Sequence, residues 1–150
     1  MSAETECTFQ IRLEKPPVSI DFGLQKGHGN SYETIQKQRS ANGDLYFDFS
    51  AKLKETPNAE PDFLGPFVQG PKGGRFVYIG IGTYAGEANS PWGRRLKIPL
   101  TGINSAMIGK LNKDSLLIFV TTVPGTGKDG GPNCATVKPF AGWQVSKKMR

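Results

Sequence analysis

The sequence predicts an all-β protein, because apolar residues alternate with polar ones along short segments and glycine and proline stand between those segments. The 150 residues include 19 glycines and 11 prolines, and a single segment has convincing helical spacing. About eight extended segments separated by turn signals predict a two-layer antiparallel β-sandwich with one short helix, and a β-barrel is the alternative. A chain of this length is typical of one domain, here residues 1–150.

The N-terminal part of the chain contains two clear alternating segments. Residues 7–14 carry an apolar side chain at every second position, and residues 18–24 repeat this pattern after two prolines. Residues 25–31 have the composition of a loop, and residues 32–39 form a weaker extended segment. We therefore expect two strands, a loop and a third, shorter strand in this part.

The middle of the chain begins with Asn42-Gly43, a pair typical of a hairpin turn. It precedes residues 45–54, which alternate most cleanly and predict a strand with one polar face. Residues 63–67 are apolar but contain Gly65 and Pro66, which favours an edge strand or a bulge. Residues 76–84 are apolar or aromatic on both faces and predict a central strand.

The C-terminal part combines three more predicted strands with the helix. Residues 95–100 predict a strand with a basic outer face, and residues 116–123 form a continuous apolar run typical of a buried strand. Residues 135–145 alternate again, and Pro139 places this last segment at an edge. Helical spacing, with Thr101 as the expected cap, connects Ile103, Ala106, Met107 and Leu111.

The charge of the chain is distributed unevenly. The formal net charge is +6, and it divides into −3 over residues 1–62 and +9 over residues 63–150. A basic half can attract an anionic partner such as a phosphate ester, a nucleic acid or an acidic protein surface. A solvated basic face without a partner explains the same composition.

The N-terminal residues lack the basic start and apolar core of a secretion signal, and no apolar segment reaches the roughly 20 residues that cross a bilayer. We therefore expect a cytoplasmic protein with no membrane partner. In a reducing compartment, Cys7 and Cys134 are expected to be free thiols that pack as small apolar residues.

Residues 124–129, PGTGKD, resemble a phosphate-binding loop only superficially. Thr122 stands where such a loop needs its first glycine, and Asp129 stands where it needs a serine or threonine. The following Gly-Gly-Pro does not begin a helix. We interpret this segment as a hairpin loop.

No arrangement of residues predicts catalysis, a metal site or a cofactor. His28 is the single histidine, and together with the two cysteines it forms no metal-ligand spacing. Asp44 and Asp48 lie close enough in sequence for acid–base chemistry, but we expect both to be solvated on a strand face.

Aromatic residues in the predicted central strand stand near basic ones. Rings that stack on bases and cations that contact phosphates form the platform for single-stranded nucleic acid in many proteins. The alternative, which we favour here, is that Phe76, Tyr78 and Tyr84 pack in the core.

Three long motifs resemble a known family. They are FLGPFVQGPKGGRFVYIGIGTYAG, SPWGRRLKIPLTGI and PGTGKDGGPNCATVKPFAGW, and the resemblance extends from the VSIDFGLQ segment to Trp143. The family is a bacterial domain of unknown function found in small stand-alone proteins. The resemblance implies a bacterial origin and a single domain, and it implies no activity or catalytic residue.

The leading functional hypothesis is a non-catalytic binding module for an anionic ligand, because the chain has a basic half and no catalytic pattern. The candidate ligand-binding residues lie at strand ends and in loops, and they are Arg75, Arg94, Arg95, Lys97 and Lys128. One rival is a small metal-independent enzyme with a pocket between the sheets. Another is a homo-oligomeric structural protein that pairs through an exposed strand edge near Phe63 or Pro139.

Overall fold

The protein is described here from a computed structural model, in which the described residues are 6–16, 22–28, 31–36, 38–39, 42–54, 61–65, 67–69, 76–81, 94–122, 134–136 and 142–148. Within these ranges, twelve strands form two six-stranded sheets, and there is one helix. Sheet A consists of β1 (Glu6–Leu13), β4 (Gln38–Arg39), β5 (Leu45–Lys54), β6 (Asp62–Leu64), β10 (Ser115–Thr121) and β12 (Gln144–Lys147). Sheet B consists of β2 (Phe22–His28), β3 (Ser31–Gln36), β7 (Val68–Gln69), β8 (Phe76–Ile81), β9 (Arg94–Pro99) and β11 (Cys134–Thr136).

The strand order of each sheet confirms the predicted two-layer β-sandwich. Sheet A has the order β12-β10-β1-β5-β4 with β6 also paired to β5, and sheet B has the order β11-β9-β8-β2-β3 with β7 also paired to β8. Neither order closes on itself among the described strands, so the barrel alternative is wrong. Two pairings, β1 with β10 and β9 with β11, are parallel, so both sheets are mixed. Eight of the described strands have four or more residues, which agrees with the predicted number.

One apolar core contains residues from both sheets, and Phe9 of β1 lies at its centre. The Phe9 side chain is 0 % exposed. Its ring stacks on Phe49 at 4.8 Å between centroids and meets Phe63 edge-on at 5.1 Å and Trp143 edge-on at 5.5 Å. The predicted alternation of the first strand is confirmed, because Cys7, Ile11 and the other inward positions of β1 are buried. The Phe63 side chain belongs to this core, whereas its strand, β6, pairs with β5 alone among the described strands, as the predicted edge position requires.

Trp143 connects the two sheets. It lies directly before β12 of sheet A, and its indole Nε1 donates a hydrogen bond of 2.7 Å to the carbonyl oxygen of Pro99, the last residue of β9 in sheet B. The Trp143 ring also contacts Phe119 of β10 at 5.1 Å. A buried indole N–H requires an acceptor, and here the acceptor comes from the opposite layer.

The predicted hairpin turn at Asn42-Gly43 is confirmed. Gly43 has a φ of 92°, which favours glycine, and β4 and β5 pair antiparallel with Arg39 opposite Leu45. The predicted loop over residues 25–31 is wrong, because β2 continues to His28 and β3 begins at Ser31. Backbone pairing between these strands, with Gly27 opposite Tyr32, prevails over the loop-like composition.

The predicted last strand over residues 135–145 is wrong in one respect, because its residues belong to two strands in different sheets. β11 pairs with β9 in sheet B, and β12 pairs with β10 in sheet A. Each lies at the end of its sheet's order, as the edge prediction required. Pro139 lies outside the described residues. An alternating pattern does not reveal a change of sheet, because it predicts only which positions are buried, and both sheets share one core.

Helix α1 comprises Ser105–Gly109, shorter than the predicted segment. Its N-cap is Asn104, whose side chain accepts a hydrogen bond of 3.0 Å from the backbone N–H of Met107, so the prediction of Thr101 as cap is wrong. Gly102 has a φ of 88°, and this left-handed conformation separates Thr101 from the helical backbone. Within the described residues, no helix is long and apolar enough to cross a membrane.

Candidate functional site

The alternation of apolar and polar residues in β9 sets the position of Lys97, one of the predicted ligand-binding residues. Leu96 and Ile98 point into the core and are buried, so Lys97 lies on the outer face of sheet B, where it is half-buried. Tyr78 of β8 is directly opposite Lys97 in the antiparallel pairing. Cross-strand neighbours of this kind lie within contact distance of each other.

Lys97 forms a cluster with two aromatic residues of β8. The Lys97 Nζ atom lies 4.2 Å from the ring centroid of Phe76, which is a cation–π contact. The rings of Phe76 and Tyr78 are 5.1 Å apart with an interplanar angle of 65°. We call Phe76, Tyr78 and Lys97 the aromatic-basic cluster.

The expectation that Phe76 and Tyr78 pack in the core is wrong. Both rings are half-buried on the outer face, whereas Val77 and Ile79 of the same strand are fully buried on the inner face. Because β8 is apolar on both faces, the smaller aliphatic side chains fill the interior and the rings cover the outside of the sheet. Tyr84 lies outside the described residues.

The other predicted ligand-binding residues have different outcomes. Arg94 and Arg95 are the first residues of β9 and pair with Ile81 and Gly80. The side chains of these two arginines lie outside the described part of the structure. Arg75 and Lys128 lie outside the described residues. Lys97 is therefore the one of the five predicted residues whose side chain the structure describes.

Sheet A carries a second cation–π pair, which is not among the predicted site residues. The guanidinium carbon of Arg12 lies 4.6 Å from the ring centroid of Tyr46, and the two residues are directly opposite each other in β1 and β5. The residue types alone do not reveal the pair, because it depends on the register of two strands more than 30 residues apart. Its surroundings have mixed charge, since β1 and β5 also contain Glu6 and Asp48.

Both aspartates considered for acid–base chemistry have structural partners, and the expectation that they are solvated is wrong for Asp44, whereas Asp48 is partly exposed on its strand. Asp44 is 6 % exposed, and its Oδ1 accepts a hydrogen bond of 2.9 Å from the backbone N–H of Lys15, which has a left-handed φ of 44°. Asp48 accepts a hydrogen bond of 2.9 Å from the side-chain amide of Gln10. Each carboxylate thus stabilises a local contact between β5 and the β1 segment.

Among the described residues, no group of three or more histidine, cysteine, aspartate or glutamate side chains could hold a metal ion. Cys7 is a free, buried thiol, as predicted. The side chains of His28 and Cys134 lie outside the described part of the structure, as do residues 124–129.

The buried thiol leads to a prediction about alkaline stability. Burial, with a smaller contribution from the Glu6 carboxylate, raises the pKa of Cys7 from 9.0 to about 11. The folded protein therefore keeps a proton that the unfolded chain loses, so this contribution to stability is complete below pH 9 and is lost as the pH rises through about 11. We expect Cys7→Ala to flatten this decline in urea-unfolding measurements. Parallel pH profiles for both proteins would contradict the assignment.

Comparison with known proteins places the whole sandwich in one family. A model of a family of unknown function, DUF5990, matches residues 7–146. Neither the curated proteins nor the solved structures include a match to this chain. The family match includes nearly all of β1 and β12 and every strand between them, and hence the aromatic-basic cluster. The chain therefore belongs to the DUF5990 family, whose function is unknown.

Proposed function

We propose that this protein is a non-catalytic binding module that takes an anionic ligand on the outer face of sheet B. The observation that carries the proposal is the Lys97 ammonium held 4.2 Å from the Phe76 ring centroid. The two strands that form the aromatic-basic cluster, Phe76–Ile81 and Arg94–Pro99, contain three cationic residues and no acidic one. No acidic residue of these strands neutralises the positive charge.

The position of Lys97 suits recognition of an anion. Lys97 as a whole is half-buried and its ammonium lies against a ring, and a charge beside apolar surface attracts an incoming anion more strongly than a fully solvated one, because less water screens the interaction. A cation–π contact of this kind contributes about 0.5–1 kcal/mol, whereas a hydrogen bond between charged groups contributes about 1.5–3 kcal/mol. An anion can therefore draw the ammonium from the ring.

Two rival functions remain predictions. The metal-independent enzyme requires a carboxylate and a tyrosine that face one cavity between the sheets. Among the described side chains, Asp44 is the one buried acid. Its Oδ1 accepts a hydrogen bond from the backbone N–H of Lys15, so this oxygen already has a structural partner. The homo-oligomer would pair through an exposed strand edge, and light scattering on the purified protein distinguishes it from a monomer.

The proposal predicts that Lys97→Gln weakens anion binding about fivefold to tenfold, because one charged contact is lost while a polar side chain of similar length is kept. The measurement is calorimetric titration with inorganic polyphosphate at about 50 and 200 mM salt, where binding should weaken strongly as salt rises. The matched control is Lys113→Gln, which removes the same charge from an exposed turn before β10 of the other sheet.

Lys113→Gln should retain nearly the binding of the unaltered protein. Equal losses in both variants would mean that only net charge matters and that the aromatic-basic cluster is not the site. The absence of polyphosphate binding at the lower salt concentration would refute the proposed function itself.

A further inference from the structure

We infer that the ligand of the aromatic-basic cluster is a single-stranded nucleic acid, which rests on the proposed function and names the ligand class for that site. β8 is the middle strand in the order β11-β9-β8-β2-β3, so Phe76 and Tyr78 stand on a broad sheet face rather than at an edge. Half-buried aromatic rings on the outside of a sheet add no packing to the interior, but they can support an unpaired base.

The cluster combines two chemical functions that a single-stranded nucleic acid requires. The Phe76 and Tyr78 rings offer stacking surfaces, and Lys97 lies within 4.2 Å of the Phe76 centroid. A base that stacks on Phe76 can replace the ammonium on the ring, and the ammonium can then contact the adjoining phosphate. Stacking on an aromatic residue contributes about 1–3 kcal/mol per base, which exceeds the cation–π contact that is given up.

Other anions use only part of this cluster. A phosphate ester without a ring would contact Lys97 and gain nothing from the aromatic residues. A duplex presents its phosphates but keeps its bases stacked inside, so the rings would have no partner. The single-stranded form is the one in which bases and phosphates are exposed together.

The pair on sheet A shows why the inference concerns sheet B. Arg12 and Tyr46 reproduce the combination of a cation and a ring, with 4.6 Å between the guanidinium carbon and the ring centroid. The strands around that pair contain Glu6 and Asp48, whose carboxylates repel phosphates, whereas β8 and β9 contain no acid. Tyr46 therefore provides a matched control for Phe76.

The test measures fluorescence anisotropy of the full chain with three labelled probes: oligothymidylate of about 15 nucleotides, an abasic strand of the same length, and a duplex. We expect the oligothymidylate to bind at least about tenfold more tightly than the abasic strand. Phe76→Leu should weaken oligothymidylate binding about fivefold to hundredfold and change abasic binding less than about twofold. Tyr46→Leu should change neither.

The possible outcomes separate the inference from the proposed function. If the oligothymidylate and the abasic strand bind equally and Phe76→Leu alters neither, the anion site stands and the inference is wrong. Duplex binding as tight as single-strand binding, or a loss with Tyr46→Leu alone, also overturns the inference. If none of the probes binds at low salt, both proposals fail.

A second measurement does not depend on the folding of any variant. Adding oligothymidylate to the isotope-labelled unaltered protein should shift the backbone amide resonances of β8 and β9 and leave those of β1 and β5 in place. The reverse distribution of shifts would overturn the inference.

Thermal unfolding of Phe76→Leu and Tyr46→Leu, followed by circular dichroism, establishes that each variant is folded at the temperature of the anisotropy measurement.

Discussion

Replacing Phe9 by alanine is expected to lower the free energy of unfolding by about 3–5 kcal/mol. The Phe9 side chain is 0 % exposed and contacts three other aromatic rings, at centroid distances of 4.8, 5.1 and 5.5 Å. Its removal loses the transfer energy of a whole phenyl ring and leaves a cavity, because rings held on several strands cannot collapse into the space. Urea unfolding followed by circular dichroism measures the loss.

The matched control for this prediction is Phe67→Ala. Phe67 is half-buried at the margin of the same core and contacts Phe49 at 6.1 Å between centroids. Its removal should cost about 1–2 kcal/mol, because only part of the ring leaves an apolar environment. Equal losses at positions 9 and 67 would contradict the placement of Phe9 at the centre of the core.

Replacing Trp143 by alanine is expected to lower the free energy of unfolding by a similar amount, about 3–5 kcal/mol, for a different reason. The indole packs against Phe9 and Phe119 of sheet A and donates its N–H to the Pro99 carbonyl of sheet B at 2.7 Å. The variant therefore loses aromatic packing together with a hydrogen bond that joins the two layers.

Trp143→Phe separates these two contributions. It keeps an aromatic ring near Phe9 but removes the donor, so it should cost about 1–3 kcal/mol, because the Pro99 carbonyl loses this partner and the smaller ring packs less well. Urea unfolding measures both variants. A value for Trp143→Phe equal to that of the unaltered protein would show that the bond to Pro99 contributes no stability.

The candidate site was only partly predictable from the sequence. Lys97 was identified because it alternates with Leu96 and Ile98, and the structure places it on the expected outer face. The same alternation showed that Phe76 and Tyr78 share one face of their strand and that Val77 and Ile79 share the other. It did not show which face is interior, since both are apolar, and the side judged to be core was the wrong one.

The strands whose two faces differ in polarity follow from the sequence alone. Residues 7–13, 45–51 and 96–99 form strands with buried apolar positions because only one face of each can leave water without burying polar groups. The hairpin turn at Gly43 follows from the sequence as well, because a left-handed backbone conformation favours glycine. These features depend on residues adjacent in the chain.

The pairing of distant segments and the choice of the apolar face of β8 that turns outward depend on the tertiary structure. The parallel pairing of β1 with β10 joins Phe9 to Leu117, and the chain crosses from sheet B to sheet A between β11 and β12. Such choices depend on how side chains from many strands fill one shared volume. The alternation of apolar and polar residues predicts which positions of a strand are buried, but it does not identify the strand that covers them.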